Sequence, residues 1–229
     1  MLYHHYFFEF AGMPQAGKTE IAGIVSHYLR RKGYAVDVHN GGSEYSPLHD
    51  APIADLNISL TCEVVNYIVN KDRGEQSEHK IYLLDRGLID RNIFTNALLW
   101  SDKIDEIQAK ATSAYLTLPR LLECLDGIYI FITSPEIALE REYKDKLMES
   151  LGDVMEPKFL STLRLATEDG YNKAKGFLRN VHLIDTELHN EKKRRTAWLV
   201  VRDILHVIEE KEGGINNTSI SKFSLDLYV

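Results

Sequence analysis

The chain has 229 residues, 44% of them hydrophobic, which suits one α/β domain with a substantial core and argues against two. Its 27 basic and 34 acidic residues leave a net charge of −7, against an extended nucleic-acid surface but compatible with a small anionic ligand in a locally positive cleft. The two cysteines, Cys62 and Cys124, fit no metal or redox spacing; no stretch approaches the ~18 apolar residues of a membrane span, and no basic flank precedes an apolar run at the N-terminus, so the reading is a cytoplasmic protein.

The first element, Tyr6-Phe7-Phe8-Glu9-Phe10, is aromatic-rich and predicts a buried parallel strand. It runs into Gly12-Met13-Pro14-Gln15-Ala16-Gly17-Lys18-Thr19, which meets the spacing G-x-x-x-x-G-K-[ST] without a mismatch. A loop of this form wraps its backbone N–H groups around phosphates, with Gln15, Ala16, Gly17 and the following Glu20 lining the bound nucleotide. Lys18 is placed to reach the β and γ phosphates and Thr19 to offer its hydroxyl to Mg²⁺. Glu20 to Arg31 then reads as a helix with Ile21, Ile24, Val25, Tyr28 and Leu29 on one face, so its N-terminus points at the phosphates.

A second strand, Tyr34 to His39, ends at Asn40-Gly41-Gly42-Ser43, a turn that can bring Glu44 near the site or leave it as an exposed carboxylate. Pro52 opens a helix whose stripe of Leu56, Leu60, Val64, Tyr67 and Ile68 reads as core, followed by a polar connection from Asp72 to Glu78. The run Ile81-Tyr82-Leu83-Leu84-Asp85 predicts a third buried strand ending in a carboxylate, and Asp85 is the expected Mg²⁺ partner of Thr19. Arg86 is a candidate for gripping a phosphate in two-pronged fashion, or for pairing with Asp85 or Asp90. Asp90 and Arg91 are weaker candidates, since a helix through Phe94, Leu98 and Leu99 can equally carry them on its solvated face.

Ser101 to Leu125 is helical in pattern, with Ile104, Ile107, Ala111, Ala114 and Tyr115 apolar and Pro119 starting a new turn. Ile128 to Thr133 predicts a buried strand, and Ser134-Pro135-Glu136 a helix start capped by Ser134. In that helix Arg141, Lys144 and Lys146 are placed either to cover transferring phosphates or to pair at i,i+4, as Glu140 with Lys144, Arg141 with Asp145 and Glu142 with Lys146. A helix from Pro157 to Phe177 includes Phe159, Leu160, Leu163 and Leu165, a last strand runs from Val181 to Asp185, and a final helix from Glu191 to Lys211 carries Trp198, Val201, Leu205 and Ile208 on one face. The expected organisation is one kinase-like domain over residues 1–212, with a helical lid region around 136–156 and a tail over 213–229.

The order of these landmarks resembles the nucleoside and nucleotide kinases of the P-loop superfamily, thymidylate kinases above all. The resemblance rests on Gly12 to Thr19, Gly41-Gly42, Asp85-Arg86, the passage from Ile132 to Arg141, and Leu183-Ile184-Asp185. It implies a three-layer α/β fold with a central parallel sheet of about five strands flanked by helices. It also implies ATP (or GTP) and Mg²⁺ as cofactors, with Lys18, Asp85, Arg86 and Arg141 catalytic, a small-molecule acceptor, and a possible homodimer. The departures are Pro14, where the family has an acidic residue, Gly87, where it has an aromatic one, and Val38-His39-Asn40 in place of its Arg-Glu-Pro run. These positions serve the acceptor side, so the resemblance implies phosphoryl transfer while the acceptor stays open between a nucleoside monophosphate and a nucleoside. The alternative from a different class is an NTP-binding regulatory module or NTPase switch with no small-molecule acceptor.

Overall fold

The aromatic-rich segment His5–Gly12 forms β1, and it is the middle strand of the molecule. Residues buried on both faces of a strand can sit only where the sheet is covered on both sides, and that is the environment β1 finds. The computed structural model describes residues 4–42, 46–48, 50–73, 80–145, 153–187 and 193–212. Within them the remaining strands are β2 (Ala35–Asn40), β3 (Lys80–Asp85), β4 (Leu125–Ile132) and β5 (Val181–Asp185). All pairings are parallel, in the order β2-β3-β1-β4-β5, a five-stranded sheet flanked by helices as expected.

Alternation along β1 divides its side chains between the two layers. Tyr6 points to one side, where its hydroxyl donates to Glu212 beyond the end of α8 (Lys193–Lys211), and α8 packs on α1 (Lys18–Arg31). Phe7 points to the other, stacking on Tyr82 at 4.7 Å and joining Val64, Val65 and Ile68 of α2 (Ile53–Asp72). On that second side α3 (Leu88–Trp100) packs against α2, α4 (Glu106–Leu116) and α7 (Pro157–Phe177). Glu9 shares the parity of Phe7 and so faces the start of α3. Burying aromatics of this size stabilises the sheet by about 1.5–3 kcal/mol each.

The region from Ser101 to Leu125 resolves into α4, the short α5 (Pro119–Leu122) and the start of β4, which begins three residues before the expected Ile128. Ser134 caps α6 (Pro135–Asp145), its Oγ accepting the Ile137 amide at 3.3 Å. Several apolar residues of the expected helices face outward: Ile107 is 80% exposed, and Tyr115, Leu165 and Trp198 are exposed too. In α8 the buried stripe runs through Ala197, Val200, Val201, Ile204, Val207 and Ile208, which turns Trp198 outward under the Arg202 guanidinium. No described helix is long and apolar enough to cross a membrane.

Candidate active site

The carboxyl end of β1 turns into the phosphate loop at Gly12, whose φ of 108° lies in the left-handed region. A Cβ there would stand 2.1 Å from the Phe131 carbonyl oxygen, so only glycine lets the loop leave β1 alongside β4. Met13 N–H then donates to that same oxygen at 2.9 Å, and Gly17, also left-handed, leads into α1. The first turn of α1 therefore presents its unpaired N–H groups to the loop's concave side.

Lys18 is buried and its Nζ donates to the carbonyls of Gly12, at 3.0 Å, and Met13, at 2.5 Å. Burial, with Arg86 nearby, pulls its amine down to about 7, against the opposing pull of Asp90 and Asp85. Thr19 Oγ1 donates to Asp85 Oδ2 at 2.5 Å, so the end of β3 and the start of α1 meet as the motif spacing predicted. Asp85 Oδ1 is buried with no hydrogen-bond partner among the described residues. A hydroxyl beside a carboxylate with one orphaned oxygen is a donor set that suits Mg²⁺, which prefers oxygen and takes much of its coordination from phosphates and water. Among the described residues no cluster of three or more His, Cys, Asp or Glu is placed to hold a metal by protein alone.

Arg86 follows with φ 73°, and its Nη1 donates to Asp90 Oδ2 at 3.0 Å while its guanidinium lies 5.3 Å from the centre of the Phe94 ring. Asp90 and Arg91, the weaker candidates that a solvated face could equally carry, are both buried: the first turn of α3 lies under the sheet's end instead of on the surface. Asp90 Oδ1 accepts the Gly12 amide at 2.8 Å. Burial opposes its charge, yet the Arg86 guanidinium, followed by Arg91 and Lys18, holds the carboxyl below its usual range. Arg91 Nη2 donates to the Gly41 carbonyl, and the Gly41 amide donates to the Asp85 carbonyl at 2.8 Å, which brings the glycine turn after β2 against the Asp85-Arg86 pair. Burial lowers the Arg91 guanidinium to about 10.

These residues form one wall of a cleft of about 740 Å³. Its lining combines polar residues, Lys18, Thr19, Asp85, Arg86 and Arg91, with apolar ones, Ile53, Leu56 and Leu60 of α2, Phe94 and Met155. Asn57 also lines it, its Nδ2 donating to Thr95 Oγ1 at 3.0 Å, and Thr95 in turn donates to the Arg91 carbonyl at 2.8 Å. The stripe of α2 read as core thus serves the cleft at its N-terminal end.

Arg141 lies on the outer side of the loop. Its Nη1 donates to the Gln15 carbonyl at 2.9 Å and its Nη2 to the Thr186 carbonyl at 2.8 Å, beside a second cavity of about 240 Å³ that Gln15, Ala16, Gly17, Glu20 and Lys144 also line. Gln15 Nε2 donates to Glu142 at 2.6 Å, so α6 holds the loop through backbone and side chain. Of the ion pairs expected along α6, Glu140 with Lys144 forms at 2.5 Å; the side chains of Asp145 and Lys146, expected to pair with Arg141 and Glu142, lie outside the described residues. Glu44, Lys146, part of the lid region and the tail fall outside the described residues.

Sequence reasoning passed over Glu9, a fully buried carboxylate whose oxygens accept three backbone amides at the start of α3. The signal was present, since an acid inside an otherwise apolar strand must find partners. It also passed over Asn57, whose helical position resembles any core-edge polar residue.

No protein-family model and no curated protein sequence matches the chain. Among solved structures, the fold is similar to that of a deoxyadenosine kinase from M. mycoides. Its complex with the products dCMP and a flexible dCDP gives a TM-score of 0.65 at 17% identity, covering 87% of this chain and 99% of that one. The same kinase with bound dATP gives 0.66 at 17%, and with bound dCTP 0.61 at 19%, over the same shares of both chains. At such identities the likeness is one of fold, and it matches the parallel α/β architecture expected of a P-loop nucleoside or nucleotide kinase.

Proposed function

We propose that the chain is a kinase that transfers the γ-phosphoryl group of ATP or GTP, with Mg²⁺, to a nucleoside or nucleoside monophosphate seated in the main cleft. The observation that carries this reading is the Thr19–Asp85 contact at 2.5 Å on the wall of a cleft that Ile53, Leu56, Asn57, Leu60 and Phe94 also line. The fold's likeness to a deoxyadenosine kinase favours the nucleoside of the two acceptors.

Phosphoryl transfer needs positioning and charge neutralisation more than covalent participation by protein. The donor triphosphate lies on the loop amides and the start of α1, and Lys18 exchanges its two carbonyl partners for phosphate oxygens. Thr19 and Asp85 would hold Mg²⁺, which when bound offsets the charge of the donor phosphates. Arg86, steadied by Asp90 and Phe94, orients the acceptor. The acceptor oxygen forms its bond to the γ phosphorus as the bond from that phosphorus to the β–γ bridging oxygen breaks. A hydroxyl acceptor must also lose its proton, and Asp85 is the carboxylate next to Arg86 that can receive it. Arg141 and Lys144, beside the smaller cavity behind the loop, serve the donor's far end in this reading.

The test is a screen of ATP and GTP with Mg²⁺ against nucleosides and nucleoside monophosphates, reading acceptor-dependent formation of the nucleoside diphosphate of the donor. The expected result is strong stimulation by one acceptor class. Slow hydrolysis that no acceptor stimulates, with nucleotide binding still abolished in Lys18→Ala, replaces the kinase with an NTPase switch.

A further inference from the structure

Glu9 takes no part in the chemistry above, yet three backbone amides converge on its buried carboxylate. Its Oε1 accepts the amides of Gly87, at 3.1 Å, and Asp90, at 2.7 Å, and its Oε2 that of Ile89, at 3.1 Å. Three donors that the start of α3 leaves without intrahelical partners are thus met by one side chain from β1. The carboxylate also stands at the positive end of the α3 dipole. Burial pushes its carboxyl up to about 7, against the pull of the three amides.

Arg86 sits between these contacts. Its own amide donates to the carbonyl of Phe10 at 3.0 Å, so β1 clamps the chain on both sides of it: Phe10 on the residue itself and Glu9 on the turn that follows. The clamp holds Arg86 at φ 73°, a conformation a residue with a side chain rarely adopts unless its surroundings impose it. Gly87 completes the arrangement. A Cβ at that position would stand 2.5 Å from the Glu9 carboxyl carbon and 2.7 Å from Oε2, so the carboxylate occupies the space a side chain would need.

We propose that Glu9 is a positioning residue for the acceptor: it fixes the backbone turn from which Arg86 reaches into the cleft, and Gly87 is the counterpart it requires. The glycine that stands where thymidylate kinases carry an aromatic residue is then one half of a Glu9–Gly87 pair. What Arg86 grips rests on the kinase reading; that Glu9 sets its geometry does not.

The test uses the full chain and two variants that approach the contact from opposite sides. Glu9→Gln keeps size but turns an NH₂ group on an amide donor, and Gly87→Ala drives a methyl into the carboxylate. Both are expected to lower kcat/KM for the acceptor by about 10²-fold, the scale of an ångström-sized misplacement. The Kd for a non-hydrolysable Mg·ATP analogue is expected to stay within about twofold, a difference well below one tenfold step of 1.4 kcal/mol. In an Arg86→Ala background, Glu9→Gln adds no further loss. A fall in donor affinity equal to the fall in acceptor efficiency, or full additivity with Arg86→Ala, overturns the proposal. Failure of both variants to fold assigns Glu9 to the fold alone and also overturns it. If the wild type phosphorylates nothing, the kinase reading fails by itself. The Arg86 Nε–H resonance still decides: narrow in the wild type and averaged in Glu9→Gln supports the positioning role, and an unchanged resonance overturns it.

Discussion

Asp90 Oδ1 accepts the amide of Gly12 at 2.8 Å, so a residue of α3 is bonded directly to the first glycine of the phosphate loop. Its other oxygen takes Arg86. One carboxylate therefore joins the phosphate loop to the arginine that follows β3.

Asp90→Ala leaves the buried Arg91 and the half-buried Arg86 beside the vacancy of their shared counter-charge. Breaking a buried pair from one side typically costs about 3–5 kcal/mol. The expected outcome is a loss of that order in urea unfolding, with weaker binding of both donor and acceptor in equilibrium titrations.

Lys18 gives the site a pH dependence whose sign is fixed. Its amine is held near 7 in the ligand-free fold against 10.5 unperturbed, so the fold favours the neutral form and Lys18 costs stability as pH falls from 10.5 towards 7. Phosphate oxygens restore the proton. Calorimetry in buffers of different ionisation enthalpy at about pH 8 should therefore find close to one proton taken up per nucleotide bound, with affinity falling about tenfold per pH unit above 7. Lys18→Met should abolish nucleotide binding and flatten the stability slope over the same range; an unchanged slope would show that the slope has another source.

Asp85→Asn keeps the shape at the end of β3 but removes the charge beside Thr19. Turnover should drop by about 10²–10³, as when a single group that stabilises transition-state charge is removed. Nucleotide binding without Mg²⁺ should hardly change, and the gain in affinity that Mg²⁺ gives the wild type should vanish in a fluorescence titration.

Asn57→Ala tests the acceptor side. Thr95 gives its own proton to the Arg91 carbonyl, so it meets Asn57 as an acceptor and fixes which end of the amide faces it. The expected result is an acceptor KM raised about tenfold, the scale of one hydrogen bond of ~1.4 kcal/mol, with the donor KM unmoved. Comparing acceptors with and without an exocyclic amino group then shows whether Asn57 distinguishes bases.

The strand, loop and helix around Gly12 to Thr19 were legible in the sequence because they depend on local spacing, and the apolar run before Asp85 marked the end of the third strand. The closing elements Pro157–Phe177 and Val181–Asp185 were likewise set by their own periodicity. Asp90 and Arg91 were not legible, because in sequence they stand in a helix with polar neighbours, and what buries them is the sheet end above them. Glu9 belongs to the same class, since its partners lie about 80 residues downstream in another element. The outward turn of Trp198 had a different cause: α8 buries a stripe centred one position away from it, a rotation that apolar spacing alone does not resolve.

The strand order also governs when this protein can begin to bind during its synthesis. β1 is made first, but its two edges are met only by β3 and β4, and Met13 is pinned by the carbonyl of Phe131. A nascent chain carrying the whole phosphate-loop motif still lacks one wall of the loop until Phe131 has left the ribosome. Contacts of such long sequence separation form late, because closing their loops must precede any gain from pairing. Until then Tyr6, Phe7, Phe8 and Phe10 are exposed apolar surface, the kind of segment that chaperones bind.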